Sequence, residues 1–176
     1  MRGIGKTALV EALSNDLNIG RVHVSRELIA YCLSITGLTM LGVDVSTRDR
    51  IRGEYGIDLA NRLMSDNRDV AIDMHLSDYR EGDKIIQPEC VIDAITNLVI
   101  LDASLGTILA RRLLDHSKAR VLDIDEMRCE KSVFDSVVAR VVASKNLPRD
   151  IVDAEGSFTE IVQRLEHTVA KIHERS

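Results

Sequence analysis

Gly3-Ile4-Gly5-Lys6-Thr7 is the stretch on which the reading of this chain turns. It matches the closing half of the phosphate-binding loop G-x-x-x-x-G-K-[ST]; counting back from Gly5, the motif's first glycine would fall one residue before Met1. Gly3 and Gly5 let the main chain curl so that successive amide N–H groups converge, and the helix behind them adds orphan donors and the positive end of its dipole. Lys6 would then reach the terminal phosphates of a nucleotide as a mobile charge, and the Thr7 hydroxyl would ligate Mg2+. The phosphate cradle runs over Gly3, Ile4, Gly5, Lys6, Thr7 and Ala8. A bare Gly-Lys-Thr near a terminus also arises by chance. Here an amphipathic helix follows at once, with Ala8, Leu9, Ala12, Leu13 and Leu17 on one face and Glu11, Asn15 and Asp16 off it, which favours the phosphate reading.

Working outward, 176 residues with 45% hydrophobic content predict one globular domain over 1–176 with a proper core. No apolar run approaches the roughly 20 residues that cross a bilayer, and no signal-peptide pattern opens the chain. The expectation is a cytoplasmic protein without a membrane partner. A net charge of −5 with no block of Lys or Arg, and 3% aromatic residues with no Trp, argue against nucleic acid as a partner. Cys32, Cys90 and Cys129 are odd in number, widely spaced and form no C-x-x-C pair, which argues against a disulfide framework or a zinc site. The pattern is compatible with a homo-oligomer.

Short apolar runs alternate with helical periodicity. Arg21-Val22-His23-Val24, Val70-Ala71-Ile72 ending in Asp73, Leu98-Val99-Ile100-Leu101 and Asp150-Ile151-Val152-Asp153 read as four strands. Helices are predicted over about 25–35, 47–64, 88–94, 105–114, 125–144 and 158–172. Gly53 and Gly56 weaken the middle of the second of these, and Ser157 with Glu160 forms a capping box for the last. Near-continuous apolar strands between helices mean an α/β fold with a parallel sheet covered on both faces.

Asp73 and Asp102 each stand at the carboxyl end of a strand, where open α/β sheets bind ligands. An acid there can hold Mg2+ opposite a loop hydroxyl, or simply end the strand. Asp73 is favoured because a long polar loop follows it through Met74 and His75. Arg111, Arg112, Lys118 and Arg120 crowd the end of one helix beyond what dipole compensation asks for. Phosphoryl transfer needs cations that offset charge and shut out water, so Arg112 and Arg120 are candidate lid arginines, in a short lid over about 112–124.

In order along nearly the whole chain, Gly5-Lys6-Thr7, Val70 to His75, Leu98 to Leu101, Arg111-Arg112-Leu113-Leu114-Asp115 and the final strand and helix resemble the archaeal-type adenylate kinases and related small nucleotide kinases of the P-loop superfamily. The segment Val43 to Ile51 resembles the family's approach to its long helix, and Asp73 with His75 matches its Asp-x-His element. Lys118 stands where the family has the first of two lid arginines, Leu41 where it has a monophosphate-binding arginine, and Lys131-Ser132 where it has His-Gln. The resemblance implies a P-loop NTPase-type sheet of order 2-3-1-4-5, here with the central first strand absent. It also implies ATP and Mg2+ as cofactors, and adenine contacts from the turn Asp153-Ala154-Glu155-Gly156, with Ala154 and Gly156 as binding residues.

The function expected on this reading is transfer of the γ-phosphoryl of ATP to a nucleoside monophosphate, with Lys6, Asp73, Arg112 and Arg120 catalytic and Thr7 and Asp73 on the metal. Its rivals are a kinase for a small hydroxyl-bearing metabolite, with Asp73 taking the acceptor's proton, and a degenerate ATP-binding module without turnover. A missing central strand leaves both neighbours with unpaired groups at roughly 1 to 3 kcal/mol each when buried, against a total stability of about 5 to 15 kcal/mol. The expectation is that the natural reading frame extends upstream of Met1, or that the chain is inactive and poorly stable unless the neighbouring strands close up.

Overall fold

The computed structural model describes residues 5–77, 84–115 and 122–175. Its elements run α1 (Lys6–Leu17), β1 (Gly20–His23), α2 (Val24–Thr36), α3 (Val45–Ser65), β2 (Val70–Asp73), α4 (Glu89–Asp93), β3 (Leu98–Asp102), α5 (Leu105–Leu114), α6 (Ile124–Lys145), β4 (Arg149–Asp153) and α7 (Phe158–Arg175). The four strands are those read from the apolar runs. One boundary moves: Val24 opens α2 instead of closing β1, because its side chain is buried beneath Tyr55 and Leu59 of α3.

β1 pairs with β2 in parallel, Gly20 opposite Val70 through His23 opposite Asp73. β3 pairs with β4 in parallel, Leu98 opposite Arg149 through Asp102 opposite Asp153. Among the described residues no ladder joins the two pairs. With the expected first strand counted, the order is 2-3 and 4-5 with an interruption at the centre, and β2 and β3 have not closed up on one another.

The helices nevertheless hold both pairs in one layer. On one face Ala71 of β2 and Val99 and Leu101 of β3 pack against a cluster that includes Leu9 and Leu13 of α1 and Ile161 and Leu165 of α7. On the other face Leu98 and Ile100, with Met74 just beyond β2, pack against Val137, Val138 and Val141 of α6. Val70 and Ile72 lie against Tyr55, Leu59 and Val91. The outer strands mix buried and exposed positions, whereas β2 and nearly all of β3 are half-buried. Val22 on β1 and Val152 on β4 are 8% and 2% exposed, while no residue of β2 or β3 is buried although helices cover both their faces.

Helix α3 carries both glycines flagged for their low propensity, and they differ in kind. A β-carbon on Gly56 would meet Pro88 Cβ at 2.8 Å and Cγ closer still, so this glycine lets α3 approach the start of α4. Gly53 has nothing within 4 Å of that position. Gly56→Ala is therefore expected to destabilise by about 1–3 kcal/mol through overpacking. Gly53→Ala is expected to stabilise by about 0.5–1 kcal/mol through helix propensity. Urea melts of the two variants check both signs.

Candidate active site

Helix α1 begins unlike α3, α5 and α6. Those three are capped by Asp44, Ser104 and Asp123, whose side chains accept from Thr47 N, from Thr107 N, and from Asp125 N and Glu126 N. At Asp44, bonds from Ser46 and from the Thr47 amide and hydroxyl hold the carboxyl far below the usual carboxylate range. α1 starts instead at Gly5, in the left-handed region at φ 89°, with no side-chain cap and no acid in its first turn. There is open space around a Gly5 β-carbon, so glycine is required there by conformation and not by room. A helix start without a side-chain cap suits an anionic acceptor, which the dipole also favours. Lys6 is half-buried, Thr7 and Ala8 are exposed. Gly3 and Ile4, the outer part of the expected cradle, lie outside the described residues.

At the carboxyl end of β2, Thr7 Oγ1 donates to Asp73 Oδ2 at 2.6 Å. Asp102, the alternative acid, accepts from Lys131 Nζ at 2.7 Å. Burial alone would lower the Lys131 pKa, but the Asp102 hydrogen bond and the charges of Asp135 and Asp102 outweigh it and raise it. The two strand-end carboxylates thus part company, one toward the loop and one into an ion pair with α6. His75, two residues beyond Asp73, accepts at its backbone oxygen from Gln87 Nε2 at 2.7 Å.

One residue beside this end of β2 escaped the sequence reading as a site candidate. His23, opposite Asp73 in the β1–β2 ladder, puts Nδ1 at 3.6 Å from Asp73 Oδ2 and Nε2 at 3.7 Å from Glu11 Oε1 of α1. Both ring nitrogens are buried, and neither makes a hydrogen bond. The signal was the strand-end position of His23, but only the pairing of β1 with β2 places it beside Asp73.

The expected lid arginines divide. Arg112 is buried, its side chain 2% exposed, and its Nη2 donates to Glu130 Oε2 of α6 at 2.7 Å. In this conformation it is buried in the packed body and paired with α6. Arg120 and Lys118 lie outside the described residues.

The turn Asp153-Ala154-Glu155-Gly156 is tightly held. Arg111 Nη2 donates to Ala154 O at 2.8 Å and to Gly156 O at 3.5 Å, while Arg164 Nη1 donates to Asp153 O at 2.9 Å and Glu155 O at 2.7 Å. The Glu155 carboxylate accepts from Thr107 Oγ1 and from Ser104 N, and these bonds hold its carboxyl below the usual glutamate range. Ala154 N donates to Asp102 O at 2.7 Å, so this amide of the turn is already engaged. Gly156 stands at φ 89°, and a β-carbon there would meet Glu160 Oε2 at 2.6 Å. The capping box is present, with Ser157 N donating to Glu160 Oε2 at 2.8 Å.

No described helix is long and apolar enough to cross a membrane. No protein-family model matches the chain, and no curated protein matches it. Among solved structures, a gluconokinase from Sinorhizobium meliloti 1021 superposes with a TM-score of 0.55 at 14% identity, covering 99% of this chain and 90% of that one. The chain is an α/β protein whose parallel strands are flanked by helices, and it shares that overall fold with the gluconokinase.

Proposed function

We propose that this chain is an ATP-dependent phosphotransferase for a small-molecule acceptor. The observation that carries the reading is the 2.6 Å approach of Thr7 and Asp73, which aims a loop hydroxyl and a strand-end carboxylate at one point beside the uncapped start of α1. Backbone amides from Gly3 to Ala8 and the Lys6 ammonium cradle the triphosphate. Mg2+ fits the pair: it takes hard oxygen ligands and usually one or two from protein, the rest from water and phosphate. Thr7 Oγ1 and Asp73 would hold it, and when bound it offsets charge on the β and γ oxygens.

The favoured acceptor is a small hydroxyl-bearing metabolite. The gluconokinase likeness supports it, and so does Leu41, 87% exposed where an adenylate-kinase-like site carries its monophosphate-binding arginine. Asp73 accepts the hydroxyl proton as the acceptor oxygen bonds to the γ-phosphorus and the bond to the ADP oxygen breaks. His23, packed between Asp73 and Glu11, orients that carboxylate. The second reading, a nucleoside monophosphate acceptor, is supported by Asp73-x-His75 and by Arg111-Arg112-Leu113-x-Asp115; its phosphate oxygen needs no base. Arg112 and Arg120 remain the proposed lid cations in either case, and Ala154 and Gly156 the proposed adenine contacts.

A coupled assay for ADP release separates these. Turnover with sugar acids or polyols, and none with AMP, CMP, UMP or dUMP, is the expected result. Turnover with a monophosphate alone replaces it by the second reading, and no ADP from any acceptor sinks both.

A further inference from the structure

Among the described residues, the His23 ring is the one side chain whose polar atoms are sealed from water and yet bond to nothing. A buried polar group without a hydrogen bond is rare enough that each instance asks for a role. Two carboxylates flank the ring: Nδ1 stands 3.6 Å from Asp73 Oδ2 and Nε2 stands 3.7 Å from Glu11 Oε1, each about half an ångström beyond hydrogen-bond length. A small rotation closes either contact.

Thr7 and Glu11 are four residues apart on α1, one helical turn, and so share a face. Thr7 meets Asp73 and Glu11 meets His23, while His23 and Asp73 stand opposite one another in the β1–β2 ladder. The four side chains thus close a ring across α1, β1 and β2. Within it the Asp73 side chain, 11% exposed, is held on one side: Oδ2 takes the Thr7 hydroxyl and faces His23, while Oδ1 accepts no bond from the described residues. Asp102, by contrast, is tied to the Lys131 ammonium. Asp73 Oδ1 is the oxygen left for a metal ion or an acceptor hydroxyl.

We propose that Glu11 is a positioning residue of this site: through the His23 ring it fixes the rotation of the Asp73 carboxylate, so that Oδ2 stays with Thr7 and Oδ1 is presented. Without Glu11 behind it, the imidazole is free to tip away from Asp73. What Oδ1 receives rests on the phosphotransfer reading; the coupling of Glu11 to Asp73 does not.

A double-mutant cycle on Glu11→Ala and His23→Leu tests this with two readouts. One is the 13C signal of the Asp73 side-chain carboxylate in nucleotide-free protein at constant pH, with the Asp102 signal as reference. The other is calorimetric affinity for Mg2+·ATP set against ATP in EDTA. Glu11→Ala is expected to move the Asp73 signal and to weaken Mg2+·ATP binding by about 3-fold, and His23→Leu to weaken it by about 10-fold. In the His23→Leu background, Glu11→Ala adds nothing. ATP in EDTA binds all four proteins alike, and Glu11→Gln, which keeps an oxygen able to face Nε2, behaves as the native chain. Tm does not fall with His23→Leu, because two buried polar atoms without hydrogen bonds are removed. Effects that simply add overturn the proposal, and so does a Tm that falls in His23→Leu while Mg2+·ATP affinity holds, the mark of a histidine that only supports the fold. Should His23→Leu fail to fold, Glu11→Ala still decides: it lies at a half-exposed helix position that favours alanine, and an Asp73 signal indifferent to it overturns the proposal. If the native chain holds Mg2+·ATP no more tightly than ATP alone, the phosphotransfer reading loses its metal site. The Asp73 signal then still rules for or against Glu11.

Discussion

Lys6→Ala is expected to lower ATP-dependent turnover by about 100- to 1,000-fold, the scale for loss of one preorganised charge partner at a transferring group. Lys6 is the first residue of α1, directly behind the left-handed Gly5, so its ammonium leaves the backbone at the point where the uncapped amides converge. Alanine is the best helix former, and the substitution is expected to change stability by less than about 1 kcal/mol, which separates a chemical loss from an unfolding one. Calorimetry completes the test. Weaker ATP binding in the variant is the expected result; binding that is weak and unchanged would instead mark a degenerate module whose nucleotide contacts do not run through the loop.

The second large effect concerns Arg112. Truncation to alanine takes the guanidinium partner from the largely buried Glu130 carboxylate, and breaking such a pair costs about 3–5 kcal/mol. For a domain of this size that is a Tm fall of about 10–15 °C. The double variant Arg112→Met with Glu130→Leu removes both charges while keeping volume, and is expected to recover most of the loss. The comparison also speaks to the lid. If Arg112 leaves Glu130 to join the phosphates during turnover, the double variant loses activity while regaining stability; if it stays in the body, activity returns with stability.

Arg112 also illustrates how far a sequence can be read. Four cations near one helix end were visible as a charge cluster, yet the direction of each was a matter of helical phase. Ile108, one turn earlier on the same face, is fully buried, and that spacing was the clue that Arg112 points inward. The strands were legible because apolar runs of four or five between helices have few other uses, and the Ser157–Glu160 box because its partners are local. The preference for Asp73 over Asp102 rests on the polar loop after it, and the geometry that bears on it, the bond from Thr7 Oγ1 to Asp73 Oδ2, joins residues 66 apart in sequence. What stayed hidden is non-local: His23 beside Asp73 depends on which strands pair, Gly56 is explained only by Pro88 from another segment, and Val24 joins a helix because α3 covers it.

The pairing of strands within each half also bears on how the molecule assembles. β1 finds its partner within residues 20–73 and β3 within residues 98–153, so each ladder closes over a modest length of chain and neither waits for the other. Both pairings are non-local in sequence and must overcome the entropy of loop closure before they form, but each lies within its own half, which makes the two halves candidate cooperative units. The clasp between them is helical: α1, from the beginning of the chain, reaches β2 on one side and α7 on the other. Docking of α1 on one face and of α6 on the other, more than any ladder among the described residues, is what makes the two halves a single body.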